Sequence, residues 1–217
     1  TLSTDQVAPA ERVPYWCEWI SQLFCGLQSD LYGDTDFDGR MATECAGDVV
    51  FTRLEGNRHR VTKSDRLIRH SEIGYLKIVA PFRGTAGVGQ SGRQVWVSPG
   101  EWSIYDTTDV YSVANPMRVE HLIVIVPKSL LLERELKMHD LTARRLGAGI
   151  SRLALQAMRG AWHELPSIAP EAARGLGDTI VQLIRLSLLE LAGADSAPTQ
   201  RESLRERIKQ LVERRLG

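Results

Sequence analysis

Val95-Trp96-Val97-Ser98-Pro99-Gly100-Glu101-Trp102 lies at the centre of the stretch whose reading decides the fold, residues 66 to 127. Around it stand Tyr75-Leu76-Lys77-Ile78-Val79, the glycines from Gly84 to Gly92, Tyr105-Asp106-Thr107 and His121-Leu122-Ile123-Val124-Ile125-Val126-Pro127. Short β-branched and aromatic runs alternate with Gly, Ser, Pro and Asp turns, which is how short antiparallel strands are written. The pattern predicts strands over 40–46, 48–55, 58–63, 74–80, 84–88, 94–97, 102–105, 110–114 and 118–126. No interval between them is long enough for a helical crossover, so a sandwich or small barrel is favoured over a doubly wound parallel sheet. After His121 the run to Val126 is continuously apolar, which suits a strand buried on both faces.

Helical periodicity flanks this region. Trp16, Trp19, Ile20, Leu23, Phe24 and Leu27 recur at helical spacing and predict an amphipathic helix over 10–27, with Pro14 in its first turn. A Gly/Asp-rich loop from Asp30 to Gly39 follows. Beyond Pro127, residues 128–165 read as a short helix and then a longer one, and Pro166 and Pro170 punctuate. Residues 171–192 are apolar around more than half a helical circumference, so that helix has to be buried on several sides. Gly193 to Thr199 reads as a polar linker, and residues 200–216 as a new helix with six bases against three acids.

The 217 residues carry 27 acidic and 27 basic side chains, and 43% are hydrophobic. Such a chain buries a core, and its zero net charge is not that of a nucleic-acid-binding domain by itself. Residues 1–50 hold nine acids against two bases, whereas 51–70 hold six bases against two acids. Two readings stay open: complementary surfaces of one fold, or an anion-handling surface beside the β region. Cys17, Cys25 and Cys45 form no C-x-x-C pair, which fits a reduced, cytoplasmic protein. No apolar run reaches membrane-spanning length, and no signal-peptide pattern opens the chain.

Enzyme motifs are not evident. His59, His70, His121, His139 and His163 show no metal-ligand spacing, and there is no Gly-x-Ser-x-Gly elbow. Asp34, Asp36 and Asp38 alternate as in a calcium loop, but Gly39 follows at once and no Glu closes it. No cofactor or metal is expected. The aromatics on predicted strands point instead to a pocket for a small molecule. The candidates are Tyr75, Lys77, Trp96, Trp102 and Tyr105, with Arg58 or Arg60 available for a negative group. Trp102 and Tyr105 stand three apart, so only one is expected to face inward; Trp102 is favoured for its indole donor beside the Pro99-Gly100 turn.

Arg66 to Arg69, Gly84 with Gln90 to Arg93, Val97-Ser98-Pro99-Gly100-Glu101, Tyr105-Asp106-Thr107 and the strand ending Val126-Pro127-Lys128 together resemble the N-terminal sensor domain of AraC-type transcriptional regulators. The resemblance covers residues 36 to 130 and implies an α+β fold. A cupin-like antiparallel β-barrel would be preceded by one helix and followed by a helical dimerisation segment. The implied division is 1–35 for the N-terminal helix and loop, 36–130 for the sensor, 131–194 for the dimerisation helices and 195–217 for a linker with the start of a truncated DNA-binding domain. It implies no enzymatic activity, a small-molecule effector, a homodimer, and promoter DNA bound through the missing C-terminal domain, with no membrane partner. The sequence leaves the effector's identity open among an aromatic or other organic acid, an amine and a nucleotide second messenger. Ile180, Leu183, Ile184, Leu186 and Leu188 are the expected dimer contacts. A cupin-fold enzyme with an atypical or absent metal site is the alternative.

Overall fold

The computed structural model describes the backbone of residues 1–24, 26–68, 74–131 and 136–216, and side chains as far as Gly193. Arg69, His70, Cys25 and the side chains of the terminal basic helix therefore lie outside the described residues. The strands are β1 (Leu2–Ser3), β2 (Gln28–Asp30), β3 (Gly39–Ala46), β4 (Val49–Gly56), β5 (His59–Lys63), β6 (Tyr75–Arg83), β7 (Ala86–Gln90), β8 (Arg93–Val97), β9 (Ser103–Asp106), β10 (Tyr111–Asn115) and β11 (Val119–Pro127). The helices are α1 (Arg12–Leu23), α2 (Asp65–Ile68), α3 (Met138–Leu141), α4 (Ile150–Glu164) and α5 (Pro170–Leu216). The nine expected strands are all present; β1 and β2 are additional. α5 continues through 193–199, where a linker had been expected.

Six strands form one antiparallel sheet in the order β1-β3-β4-β11-β6-β9, and five form a second in the order β2-β5-β10-β7-β8. Among the described residues no ladder of backbone hydrogen bonds joins the two sheets, so the cupin-like barrel expected from the sequence is two facing sheets. The fold is α+β.

The six-stranded sheet is covered on both sides. Along β11, Leu122, Val124 and Val126 join a core with α3, α4 and α5, while His121 and Ile123 face the other sheet. Along β6, Leu76, Ile78 and Ala80 face the helices, while Lys77 and Val79 face inward. Period-two alternation thus builds two cores from one sheet.

α5 is seated closely against the end of β3. A Cβ on Gly177 would stand 2.1 Å from the Ala46 carbonyl oxygen, so only glycine permits this approach. Wedged between α4 and the sheet, α5 buries Ile180, Ile184 and Leu188 completely within its own chain. These three, expected at a dimer contact, are used inside the protomer. Leu183 is half-buried, and Leu186 is 45% exposed.

An ion pair joins the acidic stretch 1–50 to the basic segment 51–70, and other arginines neutralise further acids of these stretches. Arg58 binds Asp34 through Nε and Nη2 at 2.8 and 2.6 Å. Arg40 meets Asp5 at 2.7 Å, and Arg118 joins Asp38 and Glu55 at 2.7 and 2.9 Å. Arg58 is thereby paired with an acid of the same fold.

Candidate functional site between the sheets

The space between the sheets is walled by Leu54, Val79 and Ile123 from one sheet and Val61 and Val113 from the other. Ile20 of α1, Phe24 at its C-terminal cap and Leu27 after it close it from the side. It encloses about 30 Å³, room for a water or two. Five polar positions interrupt the apolar lining: Lys77, Tyr105, and the linked histidines His59 and His121 with Asn115 between them.

Each comes from strand register. His59 and Asn115 are direct partners across β5 and β10, and Asn115 Nδ2 lies 3.0 Å from His59 Nε2. His59 Nδ1 lies 2.7 Å from the Asn57 carbonyl oxygen. Asn115 Oδ1 lies 2.9 Å from His121 Nε2. β10 belongs to one sheet and β11 to the other, so this last bond staples the two sheets. The rings of Trp16 and Phe37 meet His59 edge-on, at 6.0 and 5.7 Å between centroids. Trp16 also lies where a Cβ on Gly39 would sit, only 2.5 Å away, which draws α1 tightly over this end of the sheets.

Electrostatics follow from burial. Desolvation lowers the His59 pKa, with the Asn57 carbonyl opposing it. Desolvation, and then the neighbouring His59, lower that of His121 to about 3. Both rings are therefore neutral at ordinary pH. Burial pushes the Tyr105 phenol up, so it too stays neutral. Lys77 and Tyr105 are register partners across β6 and β9. Lys77 Nζ stands 4.2 Å from the centre of the Phe24 ring, within cation–π range.

Phe24 and Lys77 also line a second, more open depression of about 230 Å³ with Lys63, Tyr75, Thr107 and Ile125. These two side chains are the partition between the outer depression and the enclosed space.

The sequence-chosen residues separate accordingly. Lys77 and Tyr105 line the inner space, and Tyr75 the outer depression. Trp102 does not reach either. It is fully buried in the helix-side core, and its indole N–H donates to the Ser151 carbonyl oxygen at 2.8 Å. Trp96 is 42% exposed and lies over Gly87 on the outside of the five-stranded sheet. Arg58 and Arg60 are exposed beside the Tyr32 ring, and Arg58 is held by Asp34. Sequence reasoning missed His59, Asn115, His121 and Phe24. The only trace of them is parity: His121 shares the inward phase of Ile123, and His59 that of Val61.

Among the described residues, no three His, Cys, Asp or Glu side chains are grouped to hold a metal ion. Among the same residues, no helix is long and apolar enough to cross a membrane.

Comparison with known proteins fits this architecture. A family model for AraC-binding-like domains matches residues 16–190. The chain belongs to that family. It is 29% identical over 142 residues to an uncharacterised protein in the nit 5' region of Bacillus sp. (strain OxB-1), covering 65% of this chain and 55% of that one. It is 25% identical over 138 residues to the transcriptional activator NphR of Rhodococcus sp., covering 62% and 40%. The chain thus spans about half the length of these relatives or less. Its fold is similar to the crystal structure of the AraC-like transcriptional activator CuxR, with a TM-score of 0.73 and 16% identity over 83% of this chain and 67% of that one. This AraC-binding-like domain is related to transcriptional regulators on those grounds.

Proposed function

We propose that this AraC-binding-like domain is the effector-sensing part of a cytoplasmic transcriptional regulator and that a small organic molecule binds between its two sheets. One observation carries the reading. Polar side chains that a stable core would exclude are gathered in an apolar enclosure at the meeting point of both sheets and α1. Buried polar clusters of this kind cost stability and are retained where they recognise something.

The enclosed space is too small for an effector while α1 is seated. Displacing Phe24 joins it to the outer depression, and ligand binding is then a shift between a closed and an opened position of α1. The strands carry that shift onward. Ligand contacts at Lys77, Tyr105 and Ile123 adjoin Ile78, Ile104 and Leu122, which pack against the helices. In the proposed regulator the helices form a homodimer and set the pose of a DNA-binding domain, through which promoter DNA is bound.

The test is a thermal-shift screen of small aromatic and aliphatic compounds, neutral and anionic, with metal analysis and turnover assays on the same samples. Saturable stabilisation without turnover, weakened by Tyr105→Leu, supports a sensor. Bound metal with turnover supports a cupin-fold enzyme instead. Absence of stabilisation by any compound class overturns the inter-sheet site.

A further inference from the structure

Hydrogen bookkeeping around the His59–Asn115–His121 link admits one arrangement. The Asn57 carbonyl can only accept, so His59 Nδ1 carries the hydrogen. Neutral His59 then has a bare Nε2, which accepts from Asn115 Nδ2. Asn115 Oδ1 consequently faces His121 Nε2, and that nitrogen donates. The single hydrogen of neutral His121 is used there, leaving Nδ1 as a lone pair. Nδ1 is buried and has no hydrogen-bond partner. His121 itself is 1% exposed and lines the inter-sheet space.

Burial and then the adjacent His59 disfavour a charged His121, and together they outweigh the Glu120 backbone carbonyl, which favours it. Tyr105 and Lys77 line the same space from β9 and β6. A buried acceptor without a donor is costly, and such sites in native proteins call for a partner.

We propose that His121 Nδ1 is the polar anchor of the effector site, and that the effector presents a hydrogen-bond donor, a hydroxyl or N–H group, on an otherwise apolar body. The assignment rests on the inter-sheet space being the effector site. It adds the chemistry of selection. A site that supplies a bare acceptor among Val79, Val113 and Ile123 accepts a donor and rejects the isostere that offers only lone pairs.

Phenol and anisole form a matched probe pair: similar bodies, one with an O–H and one without. The experiment titrates each into the whole chain labelled with ¹⁵N-histidine and with methyl labels on Ile and Val. Phenol is expected to move the methyl signals of Val79, Val113 and Ile123, to shift the His121 Nδ1 resonance upfield, and to bind roughly tenfold more tightly than anisole. In His121→Phe that preference should vanish while anisole affinity changes less than about twofold. Should this variant fail to fold, the wild-type Nδ1 shift and the phenol-to-anisole ratio decide alone. Methyl shifts from both probes with equal affinity and an unmoved Nδ1 overturn the anchor but leave the site standing. No methyl response to either probe at millimolar concentration overturns both.

Discussion

The helix-side core and the inter-sheet core share strands β6, β9 and β11, yet they are built differently. On the helix side, Trp102, Leu122, Met158, Ile180 and Ile184 are fully buried in one shared core. Two of its polar groups find backbone carbonyls: the Trp102 indole at Ser151 and the Ser187 hydroxyl at Leu183. Between the sheets, Lys77, Tyr105, His59, Asn115 and His121 surround a small void. Moving one residue along a strand crosses from one regime to the other. One face of the sheet carries the stability that the other face gives up.

The largest effect expected from this contrast is at Trp102. Trp102→Ala removes a fully buried indole and its hydrogen bond to Ser151, and should cost about 3–5 kcal/mol in urea unfolding. Binding of any inter-sheet ligand should be unchanged in the fraction that remains folded. A loss under 1 kcal/mol with a specific loss of ligand affinity would instead place Trp102 in the site.

Trp102 also shows what the sequence could reveal. The alternation of 102 and 105 correctly says that the two rings point to opposite faces. It does not say which face is the pocket, because both sides of this sheet are buried and both look apolar. Strand positions were legible within one to three residues, since turn residues and β-branched runs mark them locally. The histidine link was not: residues 59, 115 and 121 are brought together by register and by the crossing between sheets, which no spacing encodes. α5 misled for a related reason. Its wide apolar face does need several partners, but two of them, α4 and the β3 end of the sheet, belong to the same chain.

The second expected effect lies in the polar link. Asn115→Leu leaves His59 Nε2 and His121 Nε2 without their partner, and should cost about 2–3 kcal/mol. The loss should come with larger amide exchange at the β10–β11 end of both sheets than at the helix-side core. Uniform exchange across both cores would mean that the link does not staple the sheets.

Acidification should then separate the two cores without mutation. The folded pKa of His121 is about 3, below the value of about 6.5 in the unfolded chain, and that of His59 is also lowered. A lowered pKa means that the unfolded chain takes up protons first. The stabilisation is therefore complete above pH 6.5 and is lost as pH falls toward the folded value. Between pH 6.5 and 5, stability should fall by up to about 1 kcal/mol per pH unit through His121, and in the same direction through His59. His121→Phe should flatten part of that slope, whereas Trp102→Ala should leave it unchanged. A wild-type unfolding midpoint that does not move over this range would contradict neutral, buried rings.

The smallest effect on stability, and the most informative for assembly, is expected at the exposed edge of the helix-side core. Leu186 on α5 is 45% exposed and Leu153 on α4 is 53% exposed, so each leaves apolar surface outside a core that is otherwise closed. Leu186→Glu removes little that is buried and should change unfolding free energy by about 0.5 kcal/mol or less. If this face joins two copies, the double variant Leu153→Glu, Leu186→Glu should be monomeric by light scattering at tens of micromolar, where the parent chain is dimeric. Ile184→Glu is the contrasting case: its side chain is fully buried, so the charge should unfold the protomer rather than split a dimer. A Leu186→Glu protein as unstable as Ile184→Glu would show that both leucine and isoleucine serve the protomer's own core. A parent chain that stays monomeric throughout would leave the helix face without a role in self-association.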